Sequence, residues 1–339
     1  MNVLVTGGAG YIGSQTAKSL ARAGVTPVVL DDLSTGHREA VRWGPLEEGS
    51  LEDREFIRRV LRTYRFDGVI HFAANAYVEE SVINPQKYFR NNVVNTLNLL
   101  ETMRDEGIEN IVFSSSCAVY GIPEQLPIEE GHPLKPINPY GDSKLFVERI
   151  LRWYEEAYGL RWVALRYFNA AGADEDGETG ENHDPETHLI PLAIDAALGR
   201  VSQVEIMGTD YPTPDGTAIR DYVHVCDLGD AHVRALHYLS NGGDSVALNL
   251  GNGKGHSVQE VITMVERVSG RAVPCIKRAR RKGDPASLMA NPSKALEILQ
   301  WKPRFSRLNE IVETAWRYKV TQLSNSGSHE LARFAGSIH

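Results

Sequence analysis

Asn2-Val3-Leu4-Val5-Thr6-Gly7-Gly8-Ala9-Gly10-Tyr11-Ile12-Gly13-Ser14 is the stretch whose reading decides the fold. Residues 2–6 form a short apolar run that reads as a buried strand, and a helical pattern begins at Tyr11. Between them, Gly7, Gly10 and Gly13 have a spacing with three physical uses. One lets the chain turn tightly, one lets backbone approach a phosphate, and one packs the helix on the sheet. The start of the helix then offers N–H groups and the positive end of its dipole to an anion. A glycine cluster in an ordinary turn is the alternative, and the strand–loop–helix context counts against it.

Working outward, short apolar runs at 27–31, 69–72, 111–115 and 162–166 read as further strands. Helical patterns at 11–23, 53–64, 85–105 and 139–158 alternate with them, which predicts an α/β fold with a Rossmann-type, doubly wound parallel sheet. Asp31 closes the second strand, 18 residues after Gly13, where its carboxylate suits an adenosine ribose and repels a 2′-phosphate. The bound dinucleotide is therefore expected to be NAD, not NADP. Beyond residue 168 the texture changes: 173–185 and 208–216 read as loops around a helix near 189–198. The run 221–225, a helix over 227–239 and the run 246–250 read as a return to the first sheet. The expected organisation is an NAD-binding domain over 1–168 with 221–250 returning to it. A smaller, discontinuous substrate domain takes 169–220 and 251–322, and 323–339 reads as a mobile tail.

Bulk properties bound the function. The 339 residues are 42% hydrophobic and 24% charged, with a net charge of −8, which disfavours nucleic acid or an anionic membrane as the main partner. One basic run, Lys277-Arg278-Ala279-Arg280-Arg281-Lys282, opposes that balance and reads equally as a solvated face or an anion site. Cys117, Cys226 and Cys275 are too few and too scattered for a disulfide framework or a zinc centre, so no metal site is read from them. No cationic leader opens the chain and no run nears the ~18 apolar residues of a membrane span. A cytoplasmic protein is expected.

Tyr140 and Lys144 lie four apart in Asn138-Pro139-Tyr140-Gly141-Asp142-Ser143-Lys144, with Asn138 as N-cap and Pro139 in the first helical position. That spacing puts both side chains on one helical face. A phenol with a pKa near 10 is a poor base, and a fixed lysine charge beside it lowers that value. Ser116, ending the fourth of these predicted strands, is placed to hydrogen-bond a substrate oxygen losing its proton. The bland alternatives are a buried ring with a satisfied hydroxyl and a surface helix charge.

With these residues in view, the chain resembles the extended short-chain dehydrogenase/reductases. Within them it is similar to the UDP-glucose 4-epimerase family over residues 1 to about 320. Besides the glycine loop, the resemblance rests on His71-Phe72-Ala73-Ala74, Arg166-Tyr167-Phe168-Asn169, Arg220-Asp221-Tyr222-Val223-His224 and Arg281-Lys282-Gly283-Asp284. It implies an NAD site made by Gly7, Gly10, Tyr11, Ile12, Gly13, Asp31, Asp32, Ser34, Ser50, Leu51, Phe72, Ala73, Ala74, Asn91, Tyr140, Lys144 and Tyr167. It implies catalysis by Ser116, Tyr140 and Lys144. For a UDP-sugar it implies Ser116, Asn169, His188, Leu189, Met207, Arg220, Arg281, Asp284 and Leu288. It also implies a homodimer paired through the helices at 85–105 and 139–158; Phe146, Ile150 and Tyr154, at helical spacing, read equally as an apolar seam or as core packing.

The implied reaction takes the proton from the sugar 4-hydroxyl and the hydride from C4, then returns hydride to the other face of the 4-keto intermediate and a proton to its oxygen. Related dehydratases place an Asp-Glu pair after the position of Ser116; here Cys117 and Ala118 stand there, so elimination lacks its acid and base. The chain departs from the family at Ser50, where an Asp usually meets the adenine, at Ala76, usually a lysine, and at His188 and Met207. Leu288 stands where pocket width is set, so the preferred sugar stays open between UDP-glucose/UDP-galactose, UDP-xylose/UDP-arabinose and UDP-N-acetylhexosamines. Two further readings are a net oxidoreductase that releases NADH and a catalytically silent NAD-sensing protein.

Overall fold

The computed structural model describes residues 1–281 and 283–325. Its first strands are β1 (Asn2–Thr6), β2 (Thr26–Asp31), β3 (Leu46–Glu48), β4 (Gly68–His71), β5 (Asn110–Ser116) and β6 (Arg161–Tyr167). There follow β7 (Asn169–Ala171), β8 (Val204–Met207), β9 (Ile219–His224), β10 (Val246–Leu250), β11 (Gly255–Ser257), β12 (Cys275–Arg278) and β13 (Ser287–Leu288). The helices of the first half are α1 (Tyr11–Arg22), α2 (Arg54–Tyr64), α3 (Val78–Ile83), α4 (Pro85–Tyr88), α5 (Asn95–Asp105) and α6 (Pro139–Tyr158). Those of the second half are α7 (Leu189–Ala197), α8 (Val225–Ser240), α9 (Val258–Ser269), α10 (Ser293–Leu299) and α11 (Leu308–Asn325).

A seven-stranded parallel sheet runs in the order β10-β6-β5-β4-β1-β2-β3. The order reverses between β1 and β4, which opens a crevice at the carboxyl ends of these strands. Alternation along each strand explains why both faces are covered. Val3, Val5, Ile70, Val112 and Val163 face one side, where Leu20 of α1 and Leu228 and Leu236 of α8 meet them. Leu4, Val69, Ile111 and Phe113 face the other, against Ile57 of α2, Leu99 of α5 and Val147 and Leu151 of α6. All of these apolar side chains are buried, so the strands read as unbroken apolar runs.

The strand expected at 221–225 does not rejoin this sheet. It forms as β9, which pairs with β7, β11 and β13 in a separate small sheet, while α8 and β10 do return to the large one. The reason is chemical. Arg220 and Asp221 find their partners around the small sheet. Arg220 pairs with Asp284, and the Asp221 carboxylate accepts the amides of Asn252, Gly253 and Ala290 at 2.8, 3.0 and 3.1 Å, which fastens both flanking segments to β9. Beneath the small sheet, Ile190 and Ile194 of α7, Val261 and Val265 of α9 and Ile311 and Val312 of α11 make a second core.

The helix expected over 85–105 is interrupted. A wider π turn over Phe89–Val94 separates α4 from α5. This turn directs Asn92 inward, where its side chain accepts the Asn75 amide at 2.8 Å and donates to the Asn75 carbonyl and to Ser143 Oγ at 3.0 Å each. The last helix extends into the expected tail: residues 323–325 end α11, and 326–339 lie outside the described residues.

His71, at the end of β4, is buried with Nδ1 2.6 Å from Thr6 Oγ1 and Nε2 2.8 Å from Thr96 Oγ1. Burial, helped by the charge of Lys144, pushes its pKa from 6.5 down to about 3. The unfolded chain then binds a proton below pH 6.5 that the folded chain refuses. Stability from this group is complete above pH 6.5 and falls as pH drops toward 3, by about 1.4 kcal/mol per pH unit. Urea unfolding of wild type and His71→Gln between pH 7 and pH 4 is expected to show a shallower acid dependence in the variant. Identical slopes would refute the assignment.

Candidate active site

The glycine loop sits at the sheet's reversal point. Gly7 has φ +70°, and a Cβ there would come within 2.5 Å of Ala73 N. A Cβ on Gly13 would come within 2.3 Å of Gly7 O. Both glycines are therefore fixed by packing. A Cβ on Gly10 would meet nothing nearer than Gly7 O at 3.3 Å, so Gly10 leaves its space to an approaching ligand. The amides of Tyr11, Ile12 and Gly13 open α1, in the turn whose N–H groups a helix cannot satisfy itself. Phe72 N and Ala73 N both donate to Thr6 O, so the segment leaving β4, with Ala74 next, lies beside the loop.

Asp31 is buried at the end of β2, accepting the Ala9 and Leu33 amides at 2.9 Å each. Burial raises its pKa, and those two amides oppose the rise. Asp32 accepts the Ser34 amide at 2.9 Å. Ser50 caps a turn by accepting the Glu52 amide at 3.1 Å, and Leu51 is buried beneath it in the core under α2. Asn91 lies in the π turn and donates to Asn92 Oδ1 at 3.1 Å.

Tyr140, Lys144 and Ser116 converge from two elements. The Asn138 side chain accepts the Gly141 amide at 2.8 Å and Pro139 occupies the first turn, which starts α6 with Tyr140 at its mouth. Lys144 is buried and donates from Nζ to Ser114 O at 2.8 Å, with Nζ 5.8 Å from the centre of the Tyr140 ring. Tyr167, ending β6, hydrogen-bonds the Ser114 hydroxyl. Ser116 Oγ accepts the Ala118 amide at 3.2 Å.

The charge relationship differs from the sequence expectation. Burial pushes Tyr140 up to about 12, with the Ser116 hydroxyl opposing it, and burial alone pushes Lys144 down to about 7. Desolvation outweighs the help a lysine gives a phenolate, because Nζ is bound to a backbone carbonyl and not to the phenol. Cys117 is pushed up to about 12 by burial, so a neutral thiol occupies the place where elimination would need an acid or base.

On the far side of the crevice, Arg220 of β9 binds Asp284 at 2.5 Å, and Tyr211 OH lies 3.4 Å from the same carboxylate. Leu288 of β13 is in register with Arg220 and packs on the cluster of Val119, Tyr120 and Phe168, immediately beyond Ser116. Asn169 starts β7, Leu189 starts α7 and Met207 ends β8. Arg281 is half-exposed and pairs with Glu79 of α3 at 2.8 Å. Of its basic neighbours, Arg278 pairs with Glu205 and Arg280 with Asp210, while Lys282 lies outside the described residues. His188 points its Nδ1 at Glu181 and Glu186.

Three features escaped the sequence reading. Arg166 and Glu148 form a fully buried ion pair behind the site. Asn92 braces Ser143 from the π turn. Glu181, His183 and Glu186 gather around His188. The last had a visible signal: four ligand-type residues within eight positions.

Comparison with known proteins agrees with this geometry. Residues 3–251 match the NAD dependent epimerase/dehydratase family. The chain is 53% identical over 314 residues to a UDP-glucose 4-epimerase of Rhizobium leguminosarum bv. trifolii, covering 93% of this chain and 96% of that one. Its fold is similar to the crystal structure of the Brucella ovis UDP-glucose 4-epimerase in complex with NAD, with TM-score 0.92, 55% identity and coverage of 94% and 98%. It is also similar to the Bifidobacterium longum UDP-glucose 4-epimerase in complex with NAD+ and UDP, with TM-score 0.90, 36% identity and coverage of 95% and 99%.

The Gly13 contact yields a direct test. Gly13→Ala should force the loop open and reduce the NAD retained through purification at least tenfold, measured by nucleotide release and chromatography, while circular dichroism stays native. Full retention would show that the loop does not cradle the dinucleotide.

Proposed function

The chain belongs to the NAD dependent epimerase/dehydratase family, and on that footing we propose that it is a UDP-sugar 4-epimerase interconverting UDP-glucose and UDP-galactose. It is an isomerase that uses NAD. The observation that carries the reading is the convergence of Ser116, Tyr140 and Lys144 with a neutral thiol and a methyl group, Cys117 and Ala118, where elimination would need acid and base. The residues fit NAD: a tight loop fixed by Gly7 and Gly13, open space at Gly10, a free helix start, and the Asp31 carboxylate at the end of β2.

NAD, when bound, supplies hydride uptake from the sugar C4 and its return, and the positive charge of its nicotinamide favours the tyrosinate. Tyr140 takes the proton of the 4-hydroxyl and gives one back to the 4-oxygen after the keto sugar has turned over. Ser116 holds that oxygen by a hydrogen bond in both positions. Lys144, anchored to Ser114 O, keeps its ammonium or amine beside the phenol without leaving the helix face. Arg220 suits the diphosphate, because a guanidinium fork matches phosphate oxygens, and Asp284 holds it in place until substrate arrives. Arg281 is exposed at the rim and joins it on the ligand. Leu288 and Met207 border the sugar and base, with Asn169 and Leu189 at their sides.

The assembly we propose is a homodimer paired through α5 and α6. Phe146 and Trp153 of α6 and Val94 beside α5 are 43%, 67% and 50% exposed, a large apolar surface for a lone chain. We place the protein in the cytoplasm: among the described residues Cys117, Cys226 and Cys275 are free thiols, and no helix is long and apolar enough to cross a membrane. Sedimentation equilibrium should give twice the 37.6 kDa chain mass; a monomer at micromolar concentration would refute the pairing.

Turnover of a panel of UDP-sugars, with product identification, tests the chemistry. UDP-glucose should give UDP-galactose with no accumulation of free NADH. Tyr140→Phe should lower kcat by about 10²–10⁴ while retaining NAD. Steady NADH release, or full activity in Tyr140→Phe, would overturn the proposal.

A further inference from the structure

We propose that Glu181, His183, Glu186 and His188, in the loop between β7 and α7, form a four-ligand site for a divalent metal ion of the zinc type. The pattern Glu-x-His-x-x-Glu-x-His places two carboxylates and two imidazoles, all common zinc ligands, within eight residues. The fold gathers them: one ligand atom from each lies within 4.8 Å of the other three.

Three of the four separations lie near those of a shared ion, and the fourth, His188 to Glu181, would have to open by about 1 Å to admit one. His183 Nδ1 lies 3.2 Å from Glu181 Oε1 and 3.8 Å from Glu186 Oε1, and His188 Nδ1 lies 2.5 and 3.5 Å from the same two oxygens. Four ligands placed tetrahedrally at ~2.0–2.1 Å from a zinc ion stand about 3.4 Å from one another. Glu181 has a side chain 6% exposed, and its Oε1 and His183 Nδ1 are buried without a well-aligned hydrogen bond, although each lies within reach of the other. Two buried ligand atoms left in that state are open to a cation. The Glu186 carboxylate is held in place by the Thr187 and His188 amides, which Oε1 accepts at 2.8 and 2.9 Å.

Charge is compatible with the site. Against burial, the two carboxylates raise the pKa of His183 to about 9 and of His188 to about 10, so the ion-free cluster holds two imidazolium protons. A divalent cation would displace both and leave the charge balanced. A second carboxylate group nearby makes the contrast: Asp174, Asp176 and Glu178 also cluster, but Lys18 Nζ bonds all three and supplies their cation. No lysine or arginine ion pair is found at Glu181 or Glu186 among the described residues.

The site's surroundings indicate a structural ion, not a catalytic one. The His183 ring meets Tyr11 of the glycine loop edge-on at 6.3 Å and Tyr77 at 6.2 Å. Tyr77 OH donates to Pro185 O, and His37 Nε2 lies 2.7 Å from Asn182 O. An ion here would fix the start of α7, and Leu189 with it, against the nucleotide loop. The ion would take up His188, which the resemblance places on the UDP-sugar, but metal retention is read without turnover, so the site is tested apart from the epimerase reading.

The test uses full-length, tag-free protein equilibrated with zinc sulfate, desalted and analysed by mass spectrometry for metal. Wild type should retain one zinc ion per chain. His183→Gln and Glu181→Gln should retain less than a tenth of that while keeping native circular dichroism and NAD content. Titration of the wild type with cobalt(II) should give the intense visible bands of a tetrahedral site at one equivalent. If a variant fails to fold, the wild-type cobalt spectrum decides alone. Wild type without stoichiometric zinc, an octahedral cobalt spectrum, or equal zinc in folded variants would each overturn the proposal.

Discussion

A buried guanidinium holds the site together. Arg166 of β6 reaches Glu148 of α6 through two hydrogen bonds at 2.9 and 2.5 Å, with both side chains almost wholly removed from water. The remaining polar atoms are used. Ser115 donates to Glu148 at 2.6 Å, Arg166 donates to Tyr120 OH at 2.9 Å, and Tyr120 donates to Asn249 of β10 at 2.7 Å. Such a pair adds little net stability over apolar packing, but losing one partner costs ~3–5 kcal/mol. Its value lies in alignment. Glu148 is four residues past Lys144 and eight past Tyr140, so one face of α6 meets Ser115 through Glu148 and Ser114 through Lys144. Once those two contacts are made, the phenol has one place to go: the end of β5 beside Ser116.

That alignment also decides the electrostatics of the pair. A lysine in water would act on its neighbour as a full charge. Here Lys144 is enclosed by Phe113, 5.1 Å from its ring centre, and by the backbone of β5. Burial leaves it about half-charged at neutral pH and leaves the phenol protonated. The protein thus presents two groups poised against ionisation, and the charge that tips them has to arrive with the ligands.

Much of this was legible in the sequence because it is local. The glycine spacing, the alternating apolar strands and the Asn138-Pro139 helix start each state their structure within a few residues, and the elements form where those signals stand. What was missed depends on partners far along the chain. Nothing near Arg166 announces that Glu148 will neutralise it, or that Asp221 will gather the amides of Asn252, Gly253 and Ala290. The strand at Ile219–His224 was read by its apolar half, and its polar half, Arg220-Asp221, decided which sheet it joined. The π turn at Phe89–Val94 is likewise set by what Asn92 must reach, which the helical pattern over 85–105 does not show. The pKa of Tyr140 shows the same limit, because spacing on a helix says nothing about solvent.

The small sheet has a mechanical consequence. Short connections join it to the large one: Phe168 alone separates β6 from β7, α8 starts directly after β9, and residues 251–254, between β10 and β11, are held by the Asn252 and Gly253 amides on Asp221. Phe168 is itself buried against Tyr120 and Leu145. Hinges need a few residues free to change their backbone angles, and these short, held junctions do not offer them. The two halves of the crevice therefore behave as fixed walls, and a ligand that must show both faces to one reactive group has to rotate between them. The architecture assigns the moving part to the guest and the bearing to the protein.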